Sequence, residues 1–222
     1  MIMSIYEQLK RAAQPDWDAY IQHDFVRGMG DGTLAPESFA HYLKQDYLFL
    51  LQFSRAWGLA VYKSRTLEQM RYAQQGINAM LDIEIGLHVQ YCADWGISEA
   101  QLQALPEAAA TVAYTRYVLD SGLCGDLADL HAALAPCIVG YAEVARWLLD
   151  QPTTQLDGNP YRAWIEMYAS EEYQQVADAE IRLLDELCAG MPARRLGELS
   201  HTFHTATRME GAFWQMGLDL SA

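Results

Sequence analysis

Along nearly the whole chain of 222 residues, apolar side chains recur at spacings of three and four and rarely at two. That period returns a side chain to the same face of an α-helix, whereas a strand alternates faces residue by residue. The sequence therefore predicts an all-α protein, six or seven amphipathic helices packed as a bundle on a shared core. Hydrophobic residues make up 51% of the chain and charged ones 20%, enough to fill a sizeable interior. The turn-like stretches are short, at residues 28–33, 96–106, 121–126, 151–160 and 189–192, and neither a low-complexity linker nor an internal repeat separates them. One domain over residues 1–222 is the economical expectation. The second helix is expected to begin near Pro36, where a missing N–H costs a helix nothing.

The charge balance narrows the choice of partner. Asp and Glu number 29 against 15 Lys and Arg, a formal net charge of -14, so a face for phosphate backbones or anionic lipid would oppose the overall field. Neither nucleic acid nor a membrane is expected as partner. No run of 18 apolar residues occurs, and the opening MIMSIYEQLKRAAQPDWDAY lacks the features of a signal peptide, which leads us to expect a soluble, cytoplasmic protein. Cys92, Cys124, Cys137 and Cys188 are scattered without CxxC spacing. They are expected to be thiols, not a disulfide framework or a cysteine-rich zinc site.

Four helical stripes carry residues that do not belong in an apolar core. The second helix places inward Phe39, Tyr42, Leu43, Asp46, Phe49, Leu50, Phe53 and Trp57; the last places Leu199, Phe203, Ala206, Glu210, Phe213 and Gly217. A third runs Leu130, Leu134, Cys137, Tyr141, Val144, Ala145 and Leu148, and a fourth Ile77, Met80, Leu81, Glu84, Leu87, His88 and Tyr91. Burying even a neutral polar group without hydrogen bonds costs roughly 2–7 kcal/mol, so three inward acids demand an explanation. Glu84 is open to a structural one, a pairing with a core arginine, a tyrosine or His88 one turn on. Asp46 and Glu210, together with an inward thiol and many aromatic residues, fit a solvated pocket inside the bundle.

Other motifs say less. Gly28, Gly30 and Gly32 in RGMGDGTL imitate a phosphate loop, but no strand precedes them and no P-loop lysine follows; we expect them to supply positive φ angles in the turn before the second helix. Glu84 and His88 share a helix face at i, i+4, and with His201 and His204 they outline an alternative, a di-metal carboxylate oxidase on a helical fold. Against it, the late-helix position where such enzymes carry His-x3-Asp-x2-His reads Gln174, Asp178, Ile181.

With Asp46, Cys137 and Glu210 placed, the chain resembles the TenA family of thiaminase II, the aminopyrimidine aminohydrolases of thiamin salvage, in its cysteine-bearing branch. The likeness is carried by HDFVRGMGDGTLAPESFAHYLKQDYLFL at 23–50, EIGLHVQYCADWGI at 84–97, AYTRYVLDSG at 113–122, LAPCIVGYAEVARWL at 134–148, NPYRAWIEMYASEEY at 159–173 and RMEGAFW at 208–214. The resemblance implies a heme-oxygenase-like helical bundle that binds no heme, assembled as a homotetramer, with a small pyrimidine as substrate and no metal or organic cofactor. It assigns Cys137 as nucleophile, Glu210 as catalytic acid and Asp46 as the carboxylate that holds the pyrimidine. Tyr114, Tyr141, Tyr168 and Phe213 match the aromatic lining. Phe49 stands where many relatives have a tyrosine thought to activate the cysteine, so a hydroxyl is lost there. A regulatory role without catalysis is a further alternative, disfavoured for direct DNA contact by the acidic surface.

Overall fold

The computed structural model describes residues 3–94 and 96–222; Trp95, within one of the stretches quoted above, lies outside them, as do the first two residues. Helices take up 80% of the described residues, and no strand occurs among them. In chain order they are α1 (Ile5–Ala12), α2 (Asp16–Ile21), α3 (Asp24–Asp31), α4 (Pro36–Lys63), α5 (Leu67–Asn78), a π-helical turn (Ala79–Glu84), α6 (Ile85–Asp94), α7 (Glu99–Gln103), α8 (Ala109–Cys124), α9 (Leu127–Asp150), α10 (Arg162–Ala169), α11 (Glu171–Leu187) and α12 (Ala193–Asp219). The long helix does start at Pro36. Twelve α-helices replace the expected six or seven because capped breaks cut runs whose apolar period continues. At Ser170 the backbone turns extended, ending α10, and the hydroxyl accepts from Tyr173 N to open α11.

The expected turn at residues 28–33 also needs correcting. Gly28 and Gly30 lie within α3, and of the three glycines Gly32 alone has a left-handed φ, +76°. Gly30 is needed for close packing instead: a Cβ there would meet Leu148 Cδ2 at 2.7 Å.

Residue contacts divide the chain into two compact units. The first, Met1–Ala35 with His131–Gln215, is organised around aromatic packing and one acid. Trp17 stacks on Phe203 at 5.4 Å, and Phe25 on Trp214 at 5.0 Å. Glu143 on α9 accepts from Tyr6 Oη (2.9 Å), Lys10 Nζ (2.7 Å) and Trp17 Nε1 (3.0 Å), which fastens α1 and α2 to α9. Burial, reinforced by the Glu143 charge and hydrogen bond, drives the Tyr6 phenol well above its ordinary pKa, so it remains a donor. Helix α9 is long and apolar enough to cross a membrane by length and composition, yet most of its apolar window is buried inside the protein, as in a core helix.

The second unit, Pro36–Leu130 with Met216–Ala222, is built on α4, against which α5, the π turn, α6 and α8 pack. Every inward residue named for α4 is buried, Asp46 included. The fourth stripe departs from expectation: Met80 and His88 are buried, but Leu81 and Leu87 are exposed and Glu84 is half-buried. The π turn is the cause. Its i to i+5 bonding inserts an extra residue into the helical count, and a 3.6-residue extrapolation from Ile77 misplaces Leu81 and Leu87 while His88 still falls inward.

Glu143 anchors two donors that have little water to turn to. Replacing it with alanine is expected to lower unfolding free energy by about 2–3 kcal/mol, measured by urea denaturation.

Candidate functional site

In the first unit the site residues gather on α9, α10 and α12. Between residues 130 and 142 every side chain is buried except Cys137, which is partly exposed. The turn carrying it is irregular by sequence, since Pro136 has no N–H to offer its own helix. Tyr20 clasps this turn from α2. Its hydroxyl donates to the Pro136 carbonyl at 3.3 Å, and its ring lies so close to Gly140 that a Cβ there would meet Cε1 at 2.5 Å. That is the reason for glycine at this point of the helix.

One turn beyond the thiol begins an aromatic wall. Tyr141 lies 4.9 Å from Tyr168, 5.7 Å from Trp164 and 5.3 Å from Trp214, and Trp164 lies 4.6 Å from Tyr168. Rings at these spacings and mixed angles form a rigid, water-poor surface suited to a flat heterocycle. Glu210 is 1% exposed on α12, and Phe213 and Trp214, three and four residues on, are buried with it. Of the expected site residues, the unit thus contains Cys137, Tyr141, Tyr168, Glu210 and Phe213.

In the second unit Asp46 and Phe49 sit on α4 and Tyr114 on α8. Phe49 packs at 4.7 Å from Phe53 and 5.0 Å from Tyr114, so the position without a hydroxyl is part of an apolar stack that fixes Tyr114. Asp46, 3% exposed, accepts through Oδ2 from Tyr42 Oη at 3.2 Å and is joined at 2.5 Å by His88 Nε2. The other ring nitrogen of His88, Nδ1, donates to the Glu84 carbonyl at 2.8 Å. Preceding Asp46, Gln45 accepts from Ala108 N and Thr111 Oγ1 and donates to the Pro106 carbonyl, tying α4 to the start of α8.

The oxidase alternative finds no support in this arrangement. Both nitrogens of His88 are committed, Glu84 meets it through the backbone, His204 bonds Asp16 at 2.6 Å and His201 is exposed. Among the described residues no group of three or more His, Cys, Asp or Glu side chains could hold a metal ion.

Comparison with known proteins identifies relatives over nearly the whole chain. The model of the TENA/THI-4/PQQC family matches residues 10–220. The chain is 48% identical over 215 residues to an uncharacterized protein of Haemophilus influenzae, covering 97% of this chain and 99% of that one. It is 38% identical to an aminopyrimidine aminohydrolase of Halalkalibacterium halodurans, covering 96% and 95%. Among solved structures, a protein of Silicibacter sp. TM1040 described as a TenA family transcription regulator matches with a TM-score of 0.89 and 45% identity over 96% of each chain. The heme-oxygenase-like helical fold expected from the sequence is the one observed.

Two residues escaped the sequence reasoning. Tyr20 gives no signal, being one aromatic among many. His88 was weighed as a partner for Glu84, but its side chain pairs with Asp46, 42 residues away. Burial alone would push the His88 pKa down; the charge and hydrogen bond of Asp46, with the Glu84 carbonyl, outweigh it and leave the pKa raised. Stability from this pair is therefore complete below the ordinary histidine pKa of about 6.5 and is lost as pH rises through the raised value. Asp46→Asn is expected to flatten that alkaline decline, followed as the thermal midpoint against pH.

Proposed function

The chain belongs to the TENA/THI-4/PQQC family, and on that footing we propose that it is an aminopyrimidine aminohydrolase, a hydrolase of C–N bonds. Its reaction converts 4-amino-5-aminomethyl-2-methylpyrimidine to the 5-hydroxymethyl compound and ammonia. As a second reaction it splits thiamin into hydroxymethylpyrimidine and thiazole. The observation that carries the assignment is Cys137, a partly exposed thiol in an otherwise buried helical run, next to the aromatic wall headed by Tyr141. The whole-length relation to a named aminohydrolase supports it.

The chemistry follows from residue types. Displacing an amine from the exocyclic carbon by water is slow, and covalent addition divides it into easier steps. The Cys137 thiolate adds to the unsubstituted ring carbon while Glu210 protonates a ring nitrogen. The electron-rich ring expels ammonia from the exocyclic carbon, the alkylamine having entered as its ammonium form, whose extra proton is balanced by the one water later releases to solvent. Water adds there and gives up a proton, the ring nitrogen loses its proton to Glu210, and the C–S bond breaks to restore aromaticity. Glu210 thus gives and takes one proton per cycle. Asp46 accepts from the amino edge of the pyrimidine, and Tyr114, Tyr141, Tyr168 and Phe213 enclose its faces. Phe49 contributes packing where a tyrosine would add a hydroxyl.

The homotetramer implied by the resemblance has apolar surface available to it, since Leu81, Ile83 and Leu87 are exposed on the π turn and α6. Sedimentation equilibrium should return four times 25.0 kDa, and a concentration-independent monomer would refute the assembly. For the chemistry, Cys137→Ser and Cys137→Ala should each lose hydrolysis by about a thousandfold or more while calorimetry still detects pyrimidine binding. Turnover unchanged in either variant rules out the covalent route. A turnover panel comparing the aminopyrimidine with thiamin identifies the preferred substrate.

A further inference from the structure

We infer that His88 is a positioning residue for the substrate-binding carboxylate: it grips Asp46 by one oxygen, Oδ2, and so presents the other, Oδ1, to the amino edge of the pyrimidine. The inference rests on the role given to Asp46 in the proposed function. What carries it is the inventory of donors around a carboxylate 3% exposed. The hydrogen bonds that Asp46 receives from Tyr42 and His88 both fall on Oδ2, and Oδ1 is not one of the buried side-chain atoms stranded without a partner, so it is left open to a donor from outside the protein. An N–H brought by a ligand fills it.

The ring of His88 is held so that its grip has a definite protonation. A backbone carbonyl can only accept, so Nδ1, 2.8 Å from Glu84 O, carries a hydrogen. Nε2 then donates to Asp46 only in the imidazolium form. Once that proton is gone, a nitrogen lone pair faces a carboxylate oxygen at 2.5 Å, and the two repel. The neighbouring groups are consistent with one shared proton. Asp46 and Tyr42 face the contact from α4, and Glu84 contributes negative charge from the π turn. Cys92, one turn along α6, has its thiol pKa pushed up by burial, with Lys44 opposing and Asp46 adding to the rise. It remains a neutral thiol and does not compete for the proton.

No shorter residue could do this from α6. The rigid five-membered ring spans from its own helix carbonyl to a carboxylate on α4, and the π turn sets the rotational phase at which it points there. Glutamine places an amide nitrogen close to the position of Nε2 but carries no charge and does not titrate.

The test uses the full-length protein and the reaction product 4-amino-5-hydroxymethyl-2-methylpyrimidine as a non-reacting probe, with Kd by calorimetry from about pH 6 to about pH 9. Wild type should bind progressively more weakly toward the alkaline end. His88→Ala should weaken binding about tenfold or more near neutrality, with KM for the aminopyrimidine raised by a larger factor than kcat falls. His88→Gln should recover most of the affinity yet show no alkaline loss. Wild-type affinity in His88→Ala, or the wild-type alkaline decline in His88→Gln, overturns the inference; should the alanine variant fail to fold, the glutamine variant decides alone. A wild type that binds no pyrimidine at any pH defeats the proposed function instead. The grip is then judged by 15N NMR of the histidine ring, where an Nε2 resonance unaltered by Asp46→Asn counts against it.

Discussion

A carboxylate withdrawn from water must find its compensation inside the protein, and much of this structure is arranged around that demand. Asp46, Glu180 and Glu210 are each at most 3% exposed, on α4, α11 and α12. Asp46 is met by a tyrosine hydroxyl and a histidine from a different helix. Glu180 is met by His131, whose Nδ1 lies 2.8 and 3.1 Å from its two oxygens. In both cases a histidine from another helix answers the acid, and an apolar residue in place of either partner would leave a stranded charge. Pairing of this kind fixes which helix faces meet far more narrowly than aliphatic packing does.

Much of this was legible in the sequence. The period of the apolar residues gave helices, the stripe of α4 was read residue for residue, and the inward placement of Asp46, Cys137 and Glu210 came from counting alone. The resemblance then supplied roles that periodicity could not. Sequence reasoning failed where geometry departs from 3.6 residues per turn or where partners lie far apart in the chain. The π turn spoiled the extrapolation to Leu81 and Leu87. The partner of Asp46 was hidden because nothing local links residue 46 to residue 88, and Glu180 drew no notice beside the acids on the exposed face of α11.

Glycine was misjudged for a related reason. Gly30 and Gly140 occupy helix interiors, where neither needs an unusual backbone angle; each leaves room for a neighbour, Leu148 in one case and the Tyr20 ring in the other. The second of these bears on chemistry. The ring seated at Gly140 and the hydroxyl bonded at Pro136 bracket Cys137, so a residue with no chemical duty fixes the turn that bears the thiol.

The π turn has a consequence for how this chain can change. Within Ala79–Glu84, Leu81, Asp82 and Ile83 face solvent, and substitutions at these positions meet little packing, whereas Met80 is buried. Its length is another matter. Loss of one residue would restore the ordinary helical count and swing every later side chain of α6 by about 100°, carrying His88 off its carboxylate while leaving the apolar composition untouched. A stretch that looks permissive position by position is thus held to a fixed number of residues.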